Sequence, residues 1–249
     1  MDVLIGTPIH SDGTYIIDKF LANQVQIQSR YPSSELVLAT VEDELARELE
    51  GLIKLWKLKG RVLHYKVTKP DHARSSIWNI TAGREAIRQY MLSQTEAEYL
   101  LFLDADMTVE PSVISIMKKE LEGYDVVFSG YPLRNYGIGL AGAGCAVLKR
   151  SVLEKLNFRS YEFKNGEVIF EDNLLEMDLF RLHSRIKKGF FLTGCHFNNA
   201  DNMKQITPRP VGTLRKLVNH PLLRYGLIKA SVCLRHNIPW RIKVMISRF

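Results

Sequence analysis

Apolar residues in this chain arrive in short blocks, and stretches of helical period separate the blocks. Val3-Leu4-Ile5-Gly6-Thr7-Pro8 is an apolar run closing on a Thr-Pro turn and predicts a first strand. From Tyr15 to Gln28 the apolar positions Ile16, Phe20, Val25 and Ile27 recur with a period of about 3.6 and predict a helix. Glu35 to Thr40 reads as a second strand, and the acidic Glu42-Asp43-Glu44 opens a helix that continues through Leu45 to Trp56. Arg61 to Val67 alternates as a third strand, Ser75 to Ser93 is helical, and Tyr99 to Leu103 is a fourth strand. Pro111 to Leu121 is helical again, and Asp125 to Gly130 is strand-like. Strands alternating with helices predict an α/β fold, a mostly parallel sheet with helices on both faces.

The order loosens in the second half. Gly137 to Gly144 is glycine-rich, and Cys145-Ala146-Val147-Leu148 is a short apolar strand. Ser151 to Leu156 reads as a helix capped by Ser151, with Glu154 three residues on. Asn165-Gly166 is a turn signal. Asp172 to Lys188 is predicted helical with Gly189 as its stop, and Gly189 to Cys195 is an apolar strand. The boundary falls near Thr207-Pro208-Arg209-Pro210, giving a domain over 1–207 and an extension over 208–249.

The fourth strand carries the chemistry. Tyr99-Leu100-Leu101-Phe102-Leu103 stops on Asp104-Ala105-Asp106, two carboxylates separated by one small residue. An unpaired buried carboxylate is strongly unfavourable. The strand is therefore predicted to deliver both at its carboxyl end, where open α/β sheets bind their ligands. Two hard oxygen donors that close suit Mg²⁺ or Mn²⁺, with water and substrate phosphates completing the coordination. The plainer reading is an aspartate that caps the next element.

Composition narrows the class. At 249 residues, 46% hydrophobic and 24% charged, the chain is an ordinary globular protein with a sizeable core. The N-terminus shows no basic leader, and no apolar run approaches the ~18 residues of a membrane span, which predicts a cytoplasmic protein. Cys145, Cys195 and Cys233 are far apart and odd in number, which argues against a disulfide framework and against zinc. The net charge is +7, yet Met203 to Phe249 alone holds ten Lys or Arg and no acid, so the body is slightly acidic. The basicity is therefore not a nucleic-acid footprint across the whole chain.

Four segments in order carry a family resemblance: Val3 to Thr7, Leu101 to Asp106, Gly142 to Arg150, and Phe170-Glu171-Asp172 through Cys195-His196-Phe197. Together they resemble a nucleotide-sugar glycosyltransferase of the GT-A fold, nearest to glycosyltransferase family 2. The resemblance implies that Asp106 ligates the metal directly and that Asp104 contacts ribose or metal-bound water. It implies a third metal ligand in His196, whose plainer reading is a structural histidine. Glu171-Asp172 resembles the acidic pair opening the acceptor-site helix, with Asp172 ahead of Glu171 as general base and inversion at the anomeric carbon. A helix N-terminus also favours acids through its dipole, and Asn173-Leu174 departs from the family's pattern. Thr7 and Pro8 would line the base pocket, Asp43 would accept from the base, and Arg74 would contact base or phosphate, with Asn79 and Arg84 as weaker candidates. The donor implied is a nucleoside-diphosphate sugar, by default uridine-based, and the acceptor a hydroxyl on a glycan, a lipid-linked sugar or a protein.

The tail interleaves its cations with apolar residues, including Trp240 and Phe249. It reads either as amphipathic helices on an anionic membrane surface or as a hairpin packed on the catalytic domain. A base-stacking pattern is lacking, which argues against nucleic acid. Gly137-x-Gly139-x-x-Gly142 lacks the preceding strand and following helix of a dinucleotide fingerprint. A nucleotidyltransferase and a non-catalytic sugar- or membrane-binding relative are the alternatives. The former calls for a basic phosphate loop, for which His10-Ser11-Asp12-Gly13 is a poor substitute.

Overall fold

The computed structural model describes residues 1–132, 138–139, 142–190 and 192–206, with 220, 222–223, 225–227 and 229–230 beyond them. The expected domain boundary near residue 207, most of the basic tail and part of the Gly137 to Gly144 loop lie outside the described residues.

Strands β1 (Val3–Pro8), β2 (Ser34–Thr40), β3 (Gly60–His64) and β4 (Tyr99–Leu103) are each an apolar or alternating run seen in the sequence. Beyond β4 come β5 (Met107–Val109), β6 (Val126–Ser129), the short β7 (Tyr131–Pro132) and β8 (Ile138–Gly139), and β9 (Cys145–Lys149). The chain continues with β10 (Tyr161–Glu162), β11 (Val168–Ile169), β12 (Ile186–Phe190), β13 (Gly194–Phe197) and β14 (Met203–Ile206). The main sheet has seven strands in the order β12-β6-β9-β4-β1-β2-β3. Pairs β1–β2, β1–β4, β2–β3 and β6–β12 are parallel, whereas β9 runs antiparallel between β4 and β6.

Side chains alternate across a strand, so Ile5, Leu38, Leu101 and Leu103 face one side of the sheet and Leu4, Val37, Leu100 and Phe102 the other. Helices α1 (Ile17–Arg30), α2 (Asp43–Leu55) and α4 (Val113–Glu120) cover the first face through Phe20, Leu49 and Met117. Helices α3 (Ile77–Gln94), α5 (Arg150–Leu153) and α6 (Glu171–Arg181) cover the second through Ile87, Leu153 and Leu179. Burial on both faces explains why the central strands read as continuous apolar runs. At the far end of α3, the Arg150 guanidinium donates to the carbonyls of Met91, Leu92, Thr95 and Ala97. It thereby satisfies orphan carbonyls where the helix stops.

A second sheet, β14-β13-β5, is antiparallel throughout and stands beside the main one. The buried Asn23 of α1 fixes it, donating to Val109 O at 2.7 Å and accepting from Val109 N at 2.9 Å. Asp104-Ala105-Asp106 is the step between β4 and β5, and so between the two sheets.

Three expectations are corrected. The helix expected over Asp172–Lys188 ends at Arg181, because His183 adopts a left-handed φ of 53° and Ser184 N donates back to Leu179 O at 3.0 Å. That closure frees Ile186–Phe190 to form β12 beside β6. Ser151 does not cap α5, since that helix begins at Arg150 with Lys149 as its extended N-terminal neighbour. The helix expected from Tyr15 begins instead as a 3₁₀ turn over Ser11–Ile16.

Among the described residues no helix is long and apolar enough to cross a membrane. Tyr225 of the tail stacks on Phe180 of α6 with ring centres 4.3 Å apart.

Candidate active site

The carboxyl ends of β1, β2 and β4 open onto a cleft of about 910 Å³. Pro8, Asp104, Asp106, Glu171 and Asp172 all line it, so the acidic step after β4 and the acidic start of α6 meet in one space. They lie more than sixty residues apart in sequence, and the sheet order brings them together.

At the centre is Arg84, 4% exposed on α3. Its guanidinium donates to Asp104 Oδ1 at 2.9 Å and to Glu171 Oε1. The backbone keeps Asp104 in place: its N–H donates to Gly144 O at 2.9 Å, and its carbonyl accepts from Met107 N at 3.2 Å. Asp106 faces His196 of β13, with Oδ2 and Nε2 3.2 Å apart. Asp172 Oδ1 accepts from Ala143 N at 2.9 Å.

The electrostatics follow from Asp104 and Glu171 sharing one guanidinium, with the charges of Asp106 and Asp172 close by. Burial raises the Asp104 carboxyl; Arg84 opposes the rise, and Asp106 and Asp172 add to it. Burial likewise pushes Glu171 up to about 7, again against Arg84 and with Asp172 and Asp104 contributing. Such an excess of negative charge is relieved by a cation.

Among the described residues no three His, Cys, Asp or Glu side chains are grouped as a metal cage. Mg²⁺ and Mn²⁺ use hard oxygen donors, and Mg²⁺ is commonly held by one or two carboxylates plus substrate phosphates. The carboxylate oxygens of Asp104 and Asp106 at the cleft wall fit that donor set. His196 is buried, is not among the cleft-lining residues and contacts Asp106, which places it behind that carboxylate.

The remaining expected residues are placed differently from one another. Thr7 is fully buried behind Pro8, its hydroxyl donating to Leu103 O at 2.7 Å. Asp43 is not among the lining residues; its side chain is 81% exposed and pairs with His64 Nε2 at 3.0 Å. Its neighbour Glu42 lines the cleft, with Oε1 accepting from Ser11 N at 3.0 Å and lying 3.2 Å from His10 Nδ1. Burial works against the Glu42 carboxylate, but the Ser11 N–H and His10 outweigh it and lower its pKa. The Arg74 side chain is also outside the lining set, its guanidinium donating to Asp71 O at 2.6 Å and Ala73 O at 3.1 Å. Ser76 and Asn79 line that wall instead. His10, Asn198 and the half-exposed Phe170 are further lining residues to which the sequence assigns no role in the site.

No family model matches the sequence, and no characterised protein matches it by sequence. Solved structures do match by shape. TarS 1-349 of S. aureus shares 15% identity over 75% of this chain and 57% of its own, with a TM-score of 0.53. The same protein in complex with UDP-GlcNAc gives 14% identity, 75% and 55% coverage and a TM-score of 0.52. A mannosyltransferase from Pyrobaculum calidifontis, in complex with GDP-Man and Mn²⁺, gives 15% identity, 74% and 53% coverage and a TM-score of 0.50. The chain thus has a GT-A-like glycosyltransferase fold. It spans a little over half the length of each of these relatives.

Proposed function

We propose that this chain is a metal-dependent glycosyltransferase that moves a sugar from a nucleoside-diphosphate donor to a hydroxyl acceptor. The observation that carries the reading is the meeting of Asp104 and Asp106 with Glu171 and Asp172 in one cleft at the carboxyl edge of the sheet. The fold neighbours with UDP-GlcNAc and with GDP-Man and Mn²⁺ support the donor class, and a uridine donor is the starting assumption.

In this reading Asp104 and Asp106 hold Mn²⁺ or Mg²⁺, which supplies charge neutralisation for the departing nucleoside diphosphate. Asp172 is the general base. Anchored through Oδ1 to Ala143 N–H, it takes the proton of the acceptor hydroxyl as that oxygen bonds to the anomeric carbon. The bond from that carbon to the diphosphate oxygen breaks with its electron pair, and a single displacement inverts the configuration. Glu171 is tied to Arg84 and buried, so its role is to hold Arg84 against Asp104. His196 orients Asp106 from behind, in the manner of a second-layer partner of a metal ligand. Pro8, Glu42 and Asn79 form the nucleoside end of the cleft. The basic tail lies against an anionic membrane in this proposal, bringing a lipid-linked acceptor to α6, on which Tyr225 stacks.

Titration calorimetry with UDP, GDP and their sugars, with Mn²⁺ and then with chelator, tests the reading. One nucleotide should bind only with metal, and Asp106→Ala should abolish that binding. Nucleotide affinity indifferent to chelator and to Asp106→Ala would remove the metal site from the proposal.

A further inference from the structure

Glu162 lies outside the cleft-lining residues, yet it is 2% exposed and more heavily hydrogen-bonded than any one contact requires. Its Oε1 accepts from Arg74 N at 2.8 Å, and its Oε2 from Ser75 N at 3.1 Å and Trp78 Nε1 at 3.0 Å. Its own carbonyl lies 2.8 Å from His72 Nε2. These partners sit 84 to 90 residues away in sequence. The N–H groups of Arg74 and Ser75, with the Trp78 indole, lower the Glu162 pKa and keep it ionised.

The clamped segment matters because of its position. Tyr65 to Ser76 carries no helix or strand, and it leads into Ser76, Ile77 and Asn79 on the wall of the cleft. Glu162 belongs to the β10–β11 hairpin, whose second strand runs through Phe170 directly into the Glu171-Asp172 start of α6. A second tie, Thr81 Oγ1 to Ser160 Oγ at 2.5 Å, joins the same two parts of the chain.

We propose that Glu162 is a positioning residue for donor binding, fixing the 73–79 wall against which the nucleoside diphosphate seats. The inference rests on the donor-binding reading above. It separates affinity from chemistry, because Asp172 is held independently through Ala143 N–H. Loosening the wall should therefore weaken donor binding and leave the saturated rate intact.

Glu162→Gln is the sharpest probe. An amide has one acceptor oxygen, so its NH₂ must face at least one of the three N–H donors. Loss of hydrogen bonds to a charged group predicts nucleotide binding weaker by about tenfold or more with Mn²⁺ present. Donor KM should rise in parallel while kcat stays within about twofold, the pattern of lost uniform binding. Trp78 reports directly: in a Trp56→Phe, Trp240→Phe background, UDP or GDP should change its fluorescence, and Glu162→Gln should suppress that change. Equal affinity in wild type and Glu162→Gln would overturn the inference alone, as would equal losses in kcat and kcat/KM. A wild-type chain that binds no nucleotide would overturn the donor reading and this inference with it. Should Glu162→Gln fail to fold, Trp78→Phe removes a single donor. A KM rise of about threefold at unchanged kcat supports the role, and an unchanged KM refutes it.

Discussion

Replace Arg84 with methionine, and Asp104 and Glu171 lose the cation they share. Methionine is near in volume, so the chief loss is electrostatic. Removing one partner of a buried pair costs about 3–5 kcal/mol, because the remaining charge is left without compensation. The pH dependence makes the reasoning checkable. With Arg84 present, Glu171 already stands at about 7 against an ordinary 4.5. At about 1.4 kcal/mol per unit, keeping it ionised above neutrality costs roughly 3 kcal/mol. A carboxyl raised in the folded state adds stability below its unfolded value and loses it as pH rises through the folded value. Arg84 opposes that rise in both Glu171 and Asp104, so the variant must show it more steeply. Thermal and urea unfolding should give a deficit of about 3–5 kcal/mol near pH 8, shrinking as the pH falls through about 7 and Glu171 takes up its proton. For a chain of this size that is a fall in Tm of roughly 6–20 °C at the higher pH. A deficit that is constant with pH, or grows on acidification, would refute the account.

Asp172→Asn should lower the transfer rate by about 10²–10⁴ while nucleotide affinity is preserved, measured by product formation beside calorimetry. Lost affinity would instead make Asp172 a donor-site residue. Gly83→Ala places a Cβ 2.8 Å from the Tyr65 hydroxyl and 2.9 Å from Pro8 Cβ. Overpacking costs about 1–3 kcal/mol, of which better helix propensity returns up to about 1. The expected result is a Tm lower by a few degrees and weaker nucleotide binding through the shifted Pro8, read by scanning fluorimetry and calorimetry.

What was legible in the sequence was whatever declares itself locally. Strands β1, β2 and β4 are buried on both faces and so appear as apolar runs, and Asp104-Ala105-Asp106 is visible because acids interrupt such a run. Arg84 was a weaker candidate because its meaning lies in partners 20 and 87 positions away, and inside a helix it passes for a solvated cation. Glu42 and Asp43 differ by one residue at a helix start. The extended backbone of Glu42 turns its carboxylate toward Ser11 and His10, while Asp43, already helical, meets His64. The end of α6 is hidden in the sequence because His183 takes a conformation that composition assigns to glycine, while Gly189 downstream carries the usual stop signal. Glu162 gave no signal at all, being one acid beside an ordinary turn.

The reversed strand β9 has a consequence for redesign. Because it runs against β4, its entry residues lie at the acidic edge of the sheet. There Gly144 O receives Asp104 N–H, and Ala143 N–H reaches Asp172. Both attachments are made by main chain, which every residue supplies except proline, whose nitrogen has no hydrogen to donate. The anchors of Asp104 and Asp172 therefore depend on the path of the main chain at 143–144 and not on which side chains stand there.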